Sequence, residues 1–247
     1  MELETIMILF ITAFVAAIIH GISGFAFGIV LLMVLPHFFP YAQALALTSF
    51  SMLFVVLYNA FFYRKDINWG QLPFVVGIFL IVDLFAVKLL QYVGENPIWY
   101  ILLGIIFILM AAYMMWGQDK FKIKPTKSNA VIFSVVSGLL NGLFGVGGPV
   151  IAVYFLAVSK SKEEYLGTTQ MLFVFCLSID VVLRIVSGML TPQLMIYSVS
   201  SLWCVLLGLL VGQKLFKRMN ADTFAQNYLR FDGNECGYYV HKISIVQ

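Results

Sequence analysis

Apolar residues in this chain come in long unbroken runs, not in alternation with polar ones. The runs cover residues 5–40, 41–62, 72–93, 97–117, 128–158, 164–188 and 192–216. Continuous runs of this kind predict helices, and about 20 residues are needed to cross some 30 Å of hydrocarbon. Five of the seven fit one crossing each. The other two do not: at 1.5 Å per residue, 5–40 would make a rod of about 54 Å and 128–158 one of about 46 Å. Each is too long for one crossing and too short for two. Each also carries a glycine-rich stretch, "HGISGFAFG" from His20 and "NGLFGVGGP" from Asn141. The pattern predicts a break in each overlong segment, with a half-helix, an irregular turn at depth and a second half-helix.

The two halves repeat. The two glycine stretches align at an offset of 121 residues. "LTSFSMLF" (47–54) aligns with "GTTQMLFV" (167–174) at 120, "NWGQLP" (68–73) with "LTPQLM" (190–195) at 122, and Arg64 with Arg184 at 120. Shared polar and glycine positions in fixed order argue for duplication.

Composition sharpens the class. Hydrophobic residues make up 62% of the 247, charged residues only 11%, and the mean hydropathy is +0.96. Ordinary soluble domains carry about 25% charged residues. A multi-pass α-helical membrane protein is expected, and a β-barrel is not. The net charge of +3 gives no sign of a nucleic-acid partner. The N-terminal run, preceded by Glu2 and Glu4, reads as a first membrane segment and not a cleaved signal. Cys176, Cys204 and Cys236 show no metal or redox spacing. Neither a metal site nor a cofactor is expected.

Charge then sets orientation. If each overlong segment enters and leaves on one face, Arg64, Lys65, Lys120, Lys122, Lys124, Lys127, Lys160, Lys162, Lys214, Lys217 and Arg218 share one side. Only Lys88 and Arg184 fall on the other. Single crossings would instead split the basic residues almost evenly. Cytoplasmic loops favour Lys and Arg, so the re-entrant topology is expected. It leaves three full crossings per repeat, which inverts the second repeat relative to the first.

The expected organisation is a first repeat over 1–118 (re-entrant 5–40, helices 41–62, 72–93 and 97–117) and a basic linker over 119–127. A second repeat follows over 128–220 (re-entrant 128–158, helices 164–188 and 192–216). Residues 221–247 hold Arg230, Asp232, Glu235 and Lys242. They form a polar tail where the last crossing should be. A second copy of the chain would cover the surface that a missing helix exposes.

Broken backbone within a membrane suits a site that faces protein or a water-filled cavity. A half-helix starting near Ile29 or Pro149 points its bare N–H groups, partly positive, at whatever sits in the break. The candidate anion-binding residues are therefore His20, Gly21, Ser23, Gly24 and Gly28 in the first stretch. Asn141, Gly142, Gly145, Gly147 and Gly148 are those of the second. Thr48 and Ser49, with Thr168, Thr169 and Gln170, form a related polar pair near the start of the following helices. Small-residue helix packing and back-bonded hydroxyls are the structural alternatives. Charges within a membrane are functional candidates by default. Asp180 and Arg184 are spaced to pair on one helix face. Arg184 is a candidate anion ligand, and Asp83 and Asp180 are candidates for ion coupling.

The glycine stretch near the N-terminus, "GLLNGLFGVGGPVIAVYFL" from Gly138 and the following "GTTQMLF" resemble the TauE/SafE sulfite exporter family over about residues 5 to 220. The resemblance implies a bacterial plasma-membrane transporter for sulfite, sulfonates or related sulfur anions. "GVGGP" lacks the Lys-Ser/Thr of a phosphate-binding loop, so an electrochemical gradient is the expected energy source. A passive anion channel, or an assembly or sensor subunit that transports nothing, is the rival reading. His20, His37 and His241 are scattered and suggest no catalytic set, so no enzyme is expected.

Overall fold

The computed structural model describes residues 3–93 and 126–218, with positions 98, 101, 102, 104, 105 and 108 between them. The helix expected over 97–117, most of the 119–127 linker and the 221–247 tail otherwise lie outside the described residues. Every regular element among the described residues is helical. The elements are α1 (Leu3–Ser23), α2 (Phe27–Val34), a 3-10 turn (Leu35–His37), α3 (Tyr41–Phe62) and α4 (Leu72–Val93). After them come α5 (Lys127–Phe144), α6 (Gly148–Val158), α7 (Lys162–Val186) and α8 (Pro192–Arg218).

Both overlong segments are broken. The first divides at residues 24–26 and the second at 145–147. Gly24 and Gly145, 121 residues apart, both adopt left-handed backbone, with φ of 82° and 67°. Glycine takes this conformation without the steric cost that a Cβ brings. The following half-helices start at Phe27 and Gly148, the first two residues before the expected Ile29 and the second one residue before Pro149. Among the described residues, α3, α4, α5, α7 and α8 are long and apolar enough to cross a membrane.

Local chemistry explains the other boundaries. Thr126 caps α5, its Oγ1 accepting from Asn129 N at 3.3 Å. Ser161 caps α7 by accepting from Glu164 N at 3.0 Å. Glu164 reaches back past the cap to accept from Lys160 N at 3.0 Å, a variant of the capping box shifted by one residue.

Helix contacts exchange between the halves. α1 packs on α8 as α4 packs on α5, and α3 on α8 as α4 on α7, with the α3–α7 pair in the middle. Small residues make the first two contacts close. A Cβ on Gly208 or Gly212 would stand 2.5 Å from the carbonyl oxygen of Phe14 or Ile18. On α5, a Cβ on Gly138 would stand 2.8 Å from Phe79 O and one on Gly142 2.6 Å from Asp83 O. Packing of this type holds helices together where lipid removes the hydrophobic drive between them.

The radial distribution of polarity suits a bilayer. Ile81, Phe61 and Trp203 are 72%, 70% and 77% exposed, while Asp83, Asp180 and Arg184 are all at 0%. A water-soluble fold shows the reverse.

Candidate functional site

The two breaks meet in the interior. A Cβ on Gly28 would lie 3.1 Å from Gly145 O, and one on Gly148 would lie 2.9 Å from the Phe25 Cβ. A Cβ on Gly147 would run into the Ser137 carbonyl oxygen. Glycine at 28 and 148 therefore lets two irregular backbones cross at contact distance, while glycine at 147 lets the second break fold against α5.

The first break is wrapped in neutral hydrogen bonds. His20 Nδ1 accepts from Phe27 N at 3.4 Å, so the neutral ring carries its proton on Nε2 and donates to Gln170 Oε1 at 3.1 Å. Gln170 Nε2 donates in turn to Gly24 O at 2.6 Å. Ser23 Oγ donates to Ile19 O at 2.9 Å and accepts from Phe25 N and Ala26 N at 3.4 and 3.3 Å. Tyr165 OH donates to Ser23 O at 2.8 Å. Helix ends leave carbonyls and amides without internal partners, and here side chains of α1 and α7 take up both kinds.

The second break is held differently. Gly145 N donates to Asn141 O at 2.7 Å, and Ser137 Oγ donates to Gly147 O at 2.5 Å. Tyr41 OH, at the start of α3, donates to Leu143 O at 2.9 Å. The N-cap residue Gly147 offers the amides of α6 no side-chain acceptor. Asn141 gives its side-chain amide to two acids: Nδ2 donates to Asp83 Oδ1 at 2.9 Å and to Asp180 Oδ2 at 3.4 Å. Arg184 follows one turn along α7, its Nη2 3.9 Å from Asp180 Oδ2. None of the three guanidinium nitrogens has a hydrogen-bond partner among the described residues, nor has Asp83 Oδ2 or Asp180 Oδ1.

The candidate residues thus fall into separate groups. Thr48 and Thr169 each occupy the eighth position of their helices, α3 and α7, and lie 121 residues apart. Both are buried and neither hydroxyl has a partner among the described residues. The Thr48 methyl lies 3.7 Å from where a Cβ of Gly28 would be, which puts α3 against the crossing. Ser49, by contrast, spends its hydroxyl on Leu45 O at 2.9 Å. Thr168 Oγ1 accepts from Asn68 N at 2.9 Å and so fastens the α3–α4 loop. Gly21 and Gly142 lie in the α1–α8 and α4–α5 contacts, facing Gly212 and Asp83 O. Arg184 stands 15 residues, about 22 Å, along α7 from Thr169. One small anion does not touch both.

Tyr41, Tyr165 and Ser137 carry roles that sequence reasoning missed. Each donates a hydroxyl to a carbonyl at a break. A tyrosine in the first turn of the helix after each overlong segment was the available signal.

Residues 9–229 match the family described as "Sulfite exporter TauE/SafE". The chain is 28% identical over 165 residues to the "Probable membrane transporter protein MJ0441" of Methanocaldococcus jannaschii, an alignment covering 62% of each chain. It is 27% identical over 180 residues to the "Probable membrane transporter protein YdhB" of Bacillus subtilis, covering 68% of this chain and 73% of that protein. No solved structure matches the chain significantly. With at least five apolar helices of crossing length and a family match over most of its length, this multi-pass membrane protein belongs to the TauE/SafE sulfite exporter family.

Proposed function

We propose that the chain is a secondary transporter of a small anion, sulfite or an organosulfur compound, which binds where the two glycine breaks cross. The observation that carries this reading is paired. Two left-handed glycines 121 residues apart open two helices at one crossing, and two buried threonines, each eighth in its helix, stand on the adjoining helices with hydroxyls unpartnered among the described residues. A buried hydroxyl without a partner costs about 1–3 kcal/mol, and an anion between the breaks would supply the acceptor. The α6 N-terminus adds partial positive charge and amides that no N-cap side chain accepts from. The exchange of helix contacts between the halves fits an inverted pair of repeats. Rocking of one half against the other would expose the crossing to each face in turn.

Sulfite binding in detergent tests the site. Each threonine hydroxyl is expected to contribute about 1 kcal/mol, so the double variant Thr48→Val, Thr169→Val should weaken binding roughly 30-fold while the protein stays folded. Unchanged affinity would remove the crossing as the site.

A further inference from the structure

We propose that Asp83, Asp180, Arg184 and Asn141 form a site for one exchangeable proton, linked through Asn141 to the second glycine break, so that a proton crosses with the anion. The inference rests on the anion-transport reading for its second half only.

Two carboxyls and one guanidinium share a pocket in which all three groups are at 0% exposure. Taking an ion out of water costs several kcal/mol even after relaxation, and an unpaired buried charge is the most costly case. With both carboxylates ionised, the set carries −1. One proton held between them brings it to zero. Geometry asks for the same proton. Asp83 and Asp180 converge on one donor, Asn141 Nδ2, at 2.9 and 3.4 Å, and each keeps one oxygen, Asp83 Oδ2 and Asp180 Oδ1, without a donor. One proton held by this carboxyl pair supplies a donor that the cluster lacks.

Among the described residues, nothing else nearby balances the charge. The α3 and α6 segments contain no charged residue, and the only charge on α5 is Lys127, about 21 Å along the helix from Asn141. Lys88 on α4 is exposed. Among the described residues, the remaining titratable neighbour is the buried thiol of Cys176, one turn before Asp180. His20 lies at the other break, bonded to Gln170, about 15 Å along α7 from Asp180.

Asn141 connects this site to the crossing. Its side chain donates to both carboxyls, and its backbone oxygen receives the N–H of Gly145, the left-handed residue of the break. A second proton, taken up from the aqueous face that is open, brings the cluster to +1. An anion of charge −1 at the break restores neutrality. Release on the opposite face returns one proton and one anion to water, one proton per negative charge. Arg184 remains the fixed positive charge throughout.

Infrared spectroscopy of the lipid-embedded protein at neutral pH reads the stored proton without any substrate. The C=O stretch of a buried protonated carboxyl should be present in the native protein and absent from both D83N and D180N, because either variant leaves one carboxylate paired with Arg184. R184M should increase the band. Absence of the band in the native protein, or its survival in both aspartate variants, overturns the site. Proteoliposomes with an internal pH dye test the coupling, with methanesulfonate as a probe that carries no proton of its own. Inward methanesulfonate movement should acidify the lumen, and the double variant D83N/D180N, which leaves no carboxyl to protonate, should abolish the acidification. Anion movement without acidification overturns the coupling and leaves the transporter reading standing. No movement of either methanesulfonate or sulfite counts against the transporter reading, and the infrared result still decides the proton site.

Discussion

The two breaks share a backbone device and differ in what surrounds it. At the first, Gly24 turns left-handed inside a closed set of neutral hydrogen bonds from His20, Ser23, Tyr165 and Gln170. At the second, Gly145 turns the same way, but the adjoining Asn141 leads to two acids and an arginine with polar atoms left over. A satisfied network rigidifies what it holds, and leftover polar atoms in the interior are costly until something pairs with them. The two openings share the glycine turn, and the second adjoins charged groups whose polar atoms lack partners among the described residues.

The largest effect should come from the feature that both breaks share. A side chain at Gly145 meets positive φ and a Leu45 Cδ1 2.5 Å from its Cβ. Gly145→Leu should cost about 3–5 kcal/mol, combining left-handed strain with overpacking. Gly24→Leu should cost a similar amount, since its Cβ would lie 2.7 Å from Leu166 Cδ2. Thermal unfolding in detergent measures both. A cost at one break alone would show that the two are not equivalent in the folding of the chain.

Next come the substitutions that separate the two surroundings. Gln170→Leu strands His20 Nε2 and Gly24 O in the interior, at about 2–4 kcal/mol, and should leave the protons moved per methanesulfonate unchanged. Asn141→Leu removes the donor shared by both carboxyls, and should lower that ratio even at permissive temperature. A changed ratio in the Gln170 variant would blur the distinction between the halves.

The smallest effects belong to the tyrosines. Tyr165→Phe and Tyr41→Phe each delete one hydroxyl that donates to a carbonyl at a broken helix end. Each should lower stability by about 1 kcal/mol. Near-equal shifts in unfolding temperature would mark them as the same device used at both breaks.

Much of this was readable from residue order. Overlength and clustered glycine locate both breaks, because a membrane of fixed thickness limits rod length. The spacing of Asp180 and Arg184 puts them on one helix face, and they meet at 3.9 Å. Sequence could not separate Gly21 and Gly142, which face neighbouring helices, from Gly28 and Gly148, which face the other break. Both uses need only a missing Cβ. Nor could it place Asn141 against Asp83, 58 residues away, or Gln170 against Gly24, 146 away. Those contacts depend on how helices pack, which local pattern does not encode. It likewise grouped Arg184 with Thr169, although a straight α7 keeps them about 22 Å apart.

Counterflow of labelled sulfite in proteoliposomes addresses the central claim most directly. Unlabelled sulfite inside the vesicles should accelerate entry of the label by saturable exchange, and Thr48→Val with Thr169→Val should suppress it about 30-fold. Sulfite flux that rises linearly with concentration and ignores the internal pool, or no flux in the native protein, would contradict a carrier whose site is the crossing of the two breaks.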